Sequence, residues 1–372
     1  MTKFEPNTSW ENLLHIMHIA GALHGGPLTS IRQLARFQLQ SGHSVTVVYS
    51  SVRDSGKEIR AELPQDVKIY PWVVGRDIKM SQDVIAFVQL TNLVRRLKPD
   101  ILHLHSSKAG FHGRVVSSFL GVPSVYSPRG LSFLRSDVSA RKRRMYRFLE
   151  FAAGRLAGPV VACSEDELLA LKGVARDVRL IPNGIALSDE AVRAAELARL
   201  PGDGFRVALC GRISTPRAPR LVAEIAKNAP SHWKFDWIGD GELRYELEGS
   251  GVNVIGWLDR ANALKALARC HVLLHPSLWE GMPNAVIEAM ALGLPVVASD
   301  IVGNKSLVQH GVTGFLVSNP NGYLEALKFL ERNPCLLKRL GDAGRQRVID
   351  EFDSERLVVR WEQLYLETRR RL

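Results

Sequence analysis

The stretch LWEGMPNAVIEAMALGLPVVAS, residues 278–299, holds two carboxylates, Glu280 and Glu288, in unusual company. Glu280 precedes a Gly, and Glu288 sits inside an apolar run where an ionised group is costly unless partnered. The residues Met282, Pro283 and Asn284 predict a helix start, with Pro in the first turn and Gly293 beyond the end. Such a start offers backbone N–H groups and a positive dipole end, worth about 0.3–2 kcal/mol to an anion. The first turn would then hold an anionic ligand, with Glu280 placed just ahead of it. Glu288, one turn inside, would find its partners in the hydroxyls of a polyol ligand. A structural arginine or solvent would also satisfy it.

Four further segments carry groups suited to the same chemistry. LCGRISTPRAPRLVAEI, residues 209–225, reads as a strand, a turn at Gly211, then Arg212 and Arg217 ahead of a helix. Cations at a strand's C-terminal end suit a diphosphate, although surface arginines look the same in a sequence. WIGDGELRYELE, residues 237–248, places Gly239 in a strand-to-helix turn. HGGPLTS, residues 24–30, puts Gly25 and Gly26 where bare backbone could approach a phosphate, but without the GxGxxG spacing of a dinucleotide fold. PDILHLHSS, residues 99–107, ends a strand with His103 and His105 on one face. His105, nearer the end, is better placed to touch a ligand, and His103 reads as structural. No third ligand has the local spacing of a metal site.

Charge concentrates elsewhere. The net charge is +11, and residues 1–185 hold 25 Lys+Arg against 15 Asp+Glu, whereas the remainder is nearly balanced. SARKRRMYRFLEFAAGRLAG, residues 139–158, contributes Arg141, Lys142, Arg143, Arg144 and Arg147, with Met145, Phe148, Leu149 and Ala152 as a helical stripe. The stripe is expected to pack on its own sheet while the cations face an anionic membrane, at about 1 kcal/mol per residue near the surface. Nucleic acid is disfavoured, because no interleaved aromatics or recognition-helix pattern accompany the charge.

The elements that must position these groups alternate. Strands are predicted at 13–19, 44–49, 100–104, 122–126 and 159–163, with helices between them at 28–41 and 83–97. A Pro-, Gly- and Asp-bearing stretch, 181–204, reads as a linker. The pattern resumes with strands at 205–210, 234–238, 253–255, 271–274, 295–298 and 314–317, and an amphipathic helix closes the chain at 354–372. The fold class is α/β, with two parallel sheets joined by right-handed crossovers. A chain of 372 residues suits two such domains, 1–185 and 186–353. The four cysteines are isolated, and residues 1–15 lack a signal-peptide core, so a reducing, cytoplasmic setting is expected.

Together the segments resemble glycosyltransferase family 4, the retaining GT-B nucleotide-sugar transferases, over roughly residues 13–370. Glu280-x7-Glu288 carries most of the likeness, with GVTGFLV at 311–317, HGGPLTS, DILHLH and IPNGI in support. GRISTPR departs from the family pattern by placing Arg217 where Lys is usual. The resemblance implies two Rossmann-like domains facing a cleft, with the last helix, 354–372, crossing back onto the first. It implies that Glu280 contacts the donor sugar, Glu288 the ribose, and Gly281 to Ala285 the sugar and diphosphate. Arg212 and Arg217 would serve the leaving diphosphate, and His105 would lie near the reacting sugar. It further implies a UDP-sugar donor before a GDP-sugar, no cofactor or metal, and a lipid-linked glycan acceptor in cell-surface polysaccharide biosynthesis. Arg129 of SPRG and the basic helix would then meet acceptor or lipid at the inner face of the membrane. A sugar-nucleotide epimerase, a phosphorylase and a noncatalytic nucleotide-sugar binder are the alternatives.

Overall fold

The computed structural model describes residues 13–23, 26–75, 78–134, 138–197 and 204–370. Contacts divide the chain into two compact units, one built from the residues up to Pro182 with those from Glu355 on, the other from Asn183–Ser354.

The first unit alternates β1 (His15–Ala20), α1 (Gly26–Gln40), β2 (Ser44–Ser50), α2 (Gly56–Glu62), β3 (Lys68–Trp72), α3 (Met80–Leu97), β4 (Ile101–His105), α4 (Ser106–Leu120), β5 (Ser124–Ser127), α5 (Ala140–Ala153), β6 (Val160–Ala162), α6 (Glu165–Leu171) and β7 (Val178–Leu180). Its seven strands run parallel in the order β3-β2-β1-β4-β5-β6-β7. Two of them, β3 and β7, were not expected from the sequence. Both are sheet edges, and β3 carries Pro71, which an edge strand tolerates because one side needs no N–H.

One face of this sheet packs Met17, Ile19, Leu102, Leu104 and Tyr126 in a single core with residues of α3 and α4. The opposite face presents Leu14, Ile16, Ile101 and Val125 to the last helix, α14 (Ser354–Arg370), which buries Leu357, Trp361, Leu364 and Tyr365 there. Burying each such side chain stabilises by about 1.5–3 kcal/mol, so the amphipathic stripe read in the sequence is a docking stripe.

The second unit contains α7 (Glu190–Leu197), β8 (Arg206–Cys210), α8 (Pro219–Lys227), β9 (Lys234–Ile238), β10 (Val252–Gly256), α9 (Arg260–Ala268), β11 (Val272–His275), α10 (Asn284–Ala291), β12 (Val296–Ser299), α11 (Val302–Lys305), β13 (Gly314–Val317), α12 (Pro320–Arg332) and α13 (Pro334–Glu351). Its six strands are parallel, ordered β10-β9-β8-β11-β12-β13. The expected linker is a helix in part: α7 lies within it and fully buries Val192 and Ala195.

The basic helix corrects a second expectation. In α5, Met145 is 42% and Phe148 67% exposed, so the apolar stripe points outward. The inward positions are Tyr146, Glu150 and Ala153. Glu150 is held by Arg114 at 2.6 Å and by the Tyr126 hydroxyl at 3.0 Å, a buried pair that replaces the expected apolar seam.

Candidate functional site

The two carboxylates of the second unit sit where its strands end. Helix α10 begins at Asn284 with Pro283 at its N-cap position, and it closes as predicted at Gly293, whose φ is +70°. The bonds from Leu294 N–H to Ala289 O and from Gly293 N–H to Met290 O form the crossed pair of a Schellman cap. Asn183 of IPNGI donates from its side chain to the Met282 carbonyl at 2.9 Å, anchoring the loop ahead of the helix.

Glu280 is ion-paired with Arg217. The same guanidinium donates to Ser277 Oγ at 2.9 Å and lies 3.3 Å from His275 Nε2, while His275 is 3.4 Å from Glu280. Burial lowers the Arg217 guanidinium to about 10, opposed in part by the neighbouring Cys210 sulfur, so it stays charged at neutral pH. Burial beside Arg217 also holds His275 neutral, well below the usual imidazole range. The expected pairing of Arg217 with a strand end is therefore present, with His275 and Ser277 added to it. Sequence reading missed both, although HPS at the end of a buried strand was a usable signal. Arg212 is not part of this cluster; it is exposed and pairs with Glu242 at 3.3 Å.

Glu288 is met by a structural arginine. Arg260 of α9 donates to its Oε1 at 2.7 Å and reaches toward Asp189 at 3.8 Å. Of the readings left open for Glu288, the structural arginine is thus present in this state, and it leaves the ribose role as a proposal.

Two glycines have steric reasons. A Cβ on Gly239, whose φ is +136°, would stand 2.3 Å from the Gly211 carbonyl oxygen, so this turn needs bare backbone where it touches the neighbouring strand end. Gly303, in α11, was not singled out by sequence. A Cβ there would meet the Gly281 oxygen at 2.6 Å and Glu280 Cβ at 2.8 Å, so it backs the Glu280 loop directly.

In the first unit, His105 ends β4 and is buried, as are His103 and His18 of β1. Their bonds form one directional chain. Arg129 Nε–H can only donate, so His105 Nδ1 accepts at 3.2 Å and the neutral ring carries its proton on Nε2. That Nε2–H meets His18 Nδ1 at 3.0 Å, and His18 Nε2–H meets Gln38 Oε1 at 2.9 Å. Gln38 Nε2 donates to the Tyr365 hydroxyl at 3.3 Å, and that hydroxyl donates to His103 Nδ1 at 2.7 Å. His103 Nε2–H ends the chain on Ser127 Oγ at 2.9 Å. All three imidazoles are held below their ordinary range chiefly by burial, His18 at about 4. Their ring nitrogens lie close enough together to suit a metal ion, but each already has a hydrogen-bond partner, and Arg129 adds a positive charge beside them. His103 is structural, as read. His105 is not open to a ligand in this state, because both of its nitrogens are engaged.

Arg129 needs correction. Expected with the basic helix to meet acceptor or lipid, it turns inward to His105, with a backbone φ of +53°. Arg141, Lys142, Arg144 and Arg147 are exposed, and Arg143 is partly buried, donating to the Val138 carbonyl. Gly26 opens α1, whereas Gly25 lies outside the described residues.

Comparison with known proteins is consistent with this geometry. Residues 24–189 match the profile described as Glycosyltransferase Family 4, and residues 204–333 match Glycosyl transferases group 1. The chain is 30% identical over 320 residues to the Escherichia coli UDP-Gal:alpha-D-GlcNAc-diphosphoundecaprenol alpha-1,3-galactosyltransferase, covering 78% of this chain and 81% of that one. It is 24% identical over 338 residues to the Staphylococcus aureus capsular polysaccharide biosynthesis glycosyltransferase CapM, covering 84% and 87%. Among solved structures, sucrose-phosphate synthase from Thermosynechococcus elongatus superposes with a TM-score of 0.80 at 19% identity, covering 95% of this chain and 98% of that one. Anabaena HepE, in complex with UDP-glucose, superposes at 0.75 and 19% identity, covering 96% and 100%. With two Rossmann-like sheets and this kinship, the chain belongs to glycosyltransferase family 4 and is a GT-B glycosyltransferase.

Proposed function

We propose that this glycosyltransferase moves a sugar, with retention, from a UDP-sugar to a sugar carried on a lipid diphosphate, in assembly of a bacterial cell-surface polysaccharide. The observation that carries the proposal is the cluster of Arg217, Glu280, His275 and Ser277 ahead of helix α10. Arg217, half-buried and cationic, is suited to neutralise a departing nucleoside diphosphate, so the charge that develops needs no metal. Arg212, at the same strand end, is a second cation for that leaving group. Donor binding would move Arg217 from Glu280 to phosphate and release the carboxylate to sugar hydroxyls, while Glu288 takes the ribose. The acceptor hydroxyl attacks the anomeric carbon as the bond to diphosphate breaks, and its proton passes to the leaving phosphate oxygen. The donor and acceptor classes follow the E. coli relative, named for transfer from UDP-Gal to a GlcNAc on diphosphoundecaprenol. Among the described residues no helix is long and apolar enough to cross a membrane. The outward basic face of α5 supports work at an anionic membrane surface, on its inner side.

The test supplies UDP-galactose, UDP-glucose or GDP-mannose with a GlcNAc-diphosphate-lipid, in the presence of EDTA. Expected is nucleoside diphosphate release that depends on acceptor, with an α-linked product. Release of free epimerised donor, or no turnover with any pair, would overturn the reading. Glu280→Gln should lower kcat/KM by about 10²–10³-fold, since one charge contact to the transition state is lost.

A further inference from the structure

The first unit contains a cavity of about 490 Å³ bounded by α5, by α6 and by the short turn at Ser132–Leu134. Arg143, Arg144, Arg147 and Lys172 line it together with Phe133, Leu134 and Leu169, and among the described residues no carboxylate does. Among the described residues, none of these four cations pairs with an acidic group, although ion pairs are frequent elsewhere in the chain. Among the described residues no acidic group offsets these four charges; they repel each other, and an anion placed there relieves the repulsion.

The rim is apolar. Leu134 is 45% and Leu169 57% exposed at the cavity, and Met145 and Phe148 stand out from the same helix that supplies the arginines. A simple phosphate would have no use for that surface. An anionic head joined to a hydrocarbon chain would use both parts.

The cavity also lies close to the sheet edge where α/β units bind ligands. The turn that lines it follows Arg129 at the C-terminal end of β5, and Arg129 bonds His105 at the end of β4. From Arg129 to Phe133 the chain can span at most about 14 Å. That is a gap which one sugar ring and a diphosphate can bridge.

We infer that this cavity is the docking site for the diphosphate of a polyisoprenyl-diphosphate-linked acceptor, with Arg143, Arg144, Arg147 and Lys172 as its anion ligands and Leu134, Leu169 and Phe148 meeting the first part of the hydrocarbon chain. The inference rests on the lipid-diphosphate acceptor read above and places that acceptor's head group on specific residues.

The test uses farnesyl diphosphate as the probe, followed by calorimetric titration of the full chain. Inorganic pyrophosphate, farnesyl monophosphate and vesicles of phosphatidylglycerol are run beside it. Farnesyl diphosphate should bind at least about tenfold more tightly than either of the first two, since it alone combines the second phosphate and the apolar chain. The double substitution Arg144→Glu with Arg147→Glu should weaken it by at least about 30-fold, and Lys172→Glu by about 5–10-fold. UDP affinity, read in the same preparations, should stay within about twofold and certifies the fold. Unchanged farnesyl diphosphate binding in the double variant overturns the site. Equal affinity for pyrophosphate marks a general phosphate site, and vesicle binding without farnesyl diphosphate binding marks a phospholipid surface; either also overturns it. Should transfer to lipid acceptors fail while the variants still lose farnesyl diphosphate, the acceptor reading falls and the anion site remains.

Discussion

At the scale of single residues, the candidate donor site depends on contacts that a change of one methyl group would disturb. Gly303 shows this most sharply. In a helix interior, Gly→Ala is ordinarily favourable by roughly 0.5–1 kcal/mol. Here the new Cβ would lie within 3 Å of the Glu280 and Gly281 backbone, which has no flexible end to yield. The steric term wins, and Gly303→Ala should push the Glu280 loop aside. We expect a melting temperature within a few degrees of the parent and a transfer rate lower by about tenfold or more, equivalent to about 1.4 kcal/mol in the barrier. A normal rate in steady-state assays would show that the loop's position does not matter. The pairing of Glu280 and Glu288 at a helix start was readable from the sequence because it is local in the chain. Their partners were not, since Arg217 and Arg260 come from other segments brought alongside by the sheet.

At the scale of elements, helix α14 does more than cover a sheet face. Its Tyr365 hydroxyl accepts from Gln38 and donates to His103, closing the chain that begins at Arg129 and His105. Tyr365→Phe keeps the ring's packing and strands two buried polar groups, each costing about 1–3 kcal/mol. The first unit should lose about 2–5 kcal/mol in urea unfolding, and ring ¹⁵N shifts should show His103 leaving the Nε2–H form. A loss under about 0.5 kcal/mol would mean that water replaces the hydroxyl without penalty. The helix itself was legible from its 3.6-residue stripe. The outward turn of α5 was not, because an equally regular stripe serves core or surface, and the Arg114–Glu150 pair decides which. The edge strands β3 and β7 escaped for a related reason: edges need neither an unbroken apolar run nor a full set of N–H donors.

At the scale of the whole molecule, the buried imidazoles make stability depend on pH. His18, His103 and His105 have folded values lowered from an ordinary 6.5, His18 to about 4. Above pH 6.5 both folded and unfolded states hold them neutral, and nothing is lost. Between pH 6.5 and about 4 the unfolded chain takes up protons that the native first unit refuses, so acid favours unfolding. The fall is at most about 1.4 kcal/mol per pH unit for each such ring, over a window that reaches down to about 4 for His18. The first unit should therefore melt several degrees lower at pH 5 than at pH 7.5, and His18→Gln should flatten that dependence. A melting temperature that does not fall with acid would place protons on these rings in the native state.

The sequence by itself determined the alternation of strands and helices, the two-sheet class, the Glu280–Glu288 helix start and the place of the positive charge. These are carried by short-range periodicity, by capping residues and by composition, all of which survive in a linear string. Only the tertiary structure decided that Arg217, His275 and Ser277 surround Glu280, that Arg260 holds Glu288, and that Arg129 faces His105 and not the outside. It also decided that the α5 cations share a cavity with Lys172. Those outcomes depend on which side chains a parallel sheet brings together from distant segments. Burial and charge set that choice after the strands have been ordered, and no local spacing encodes it.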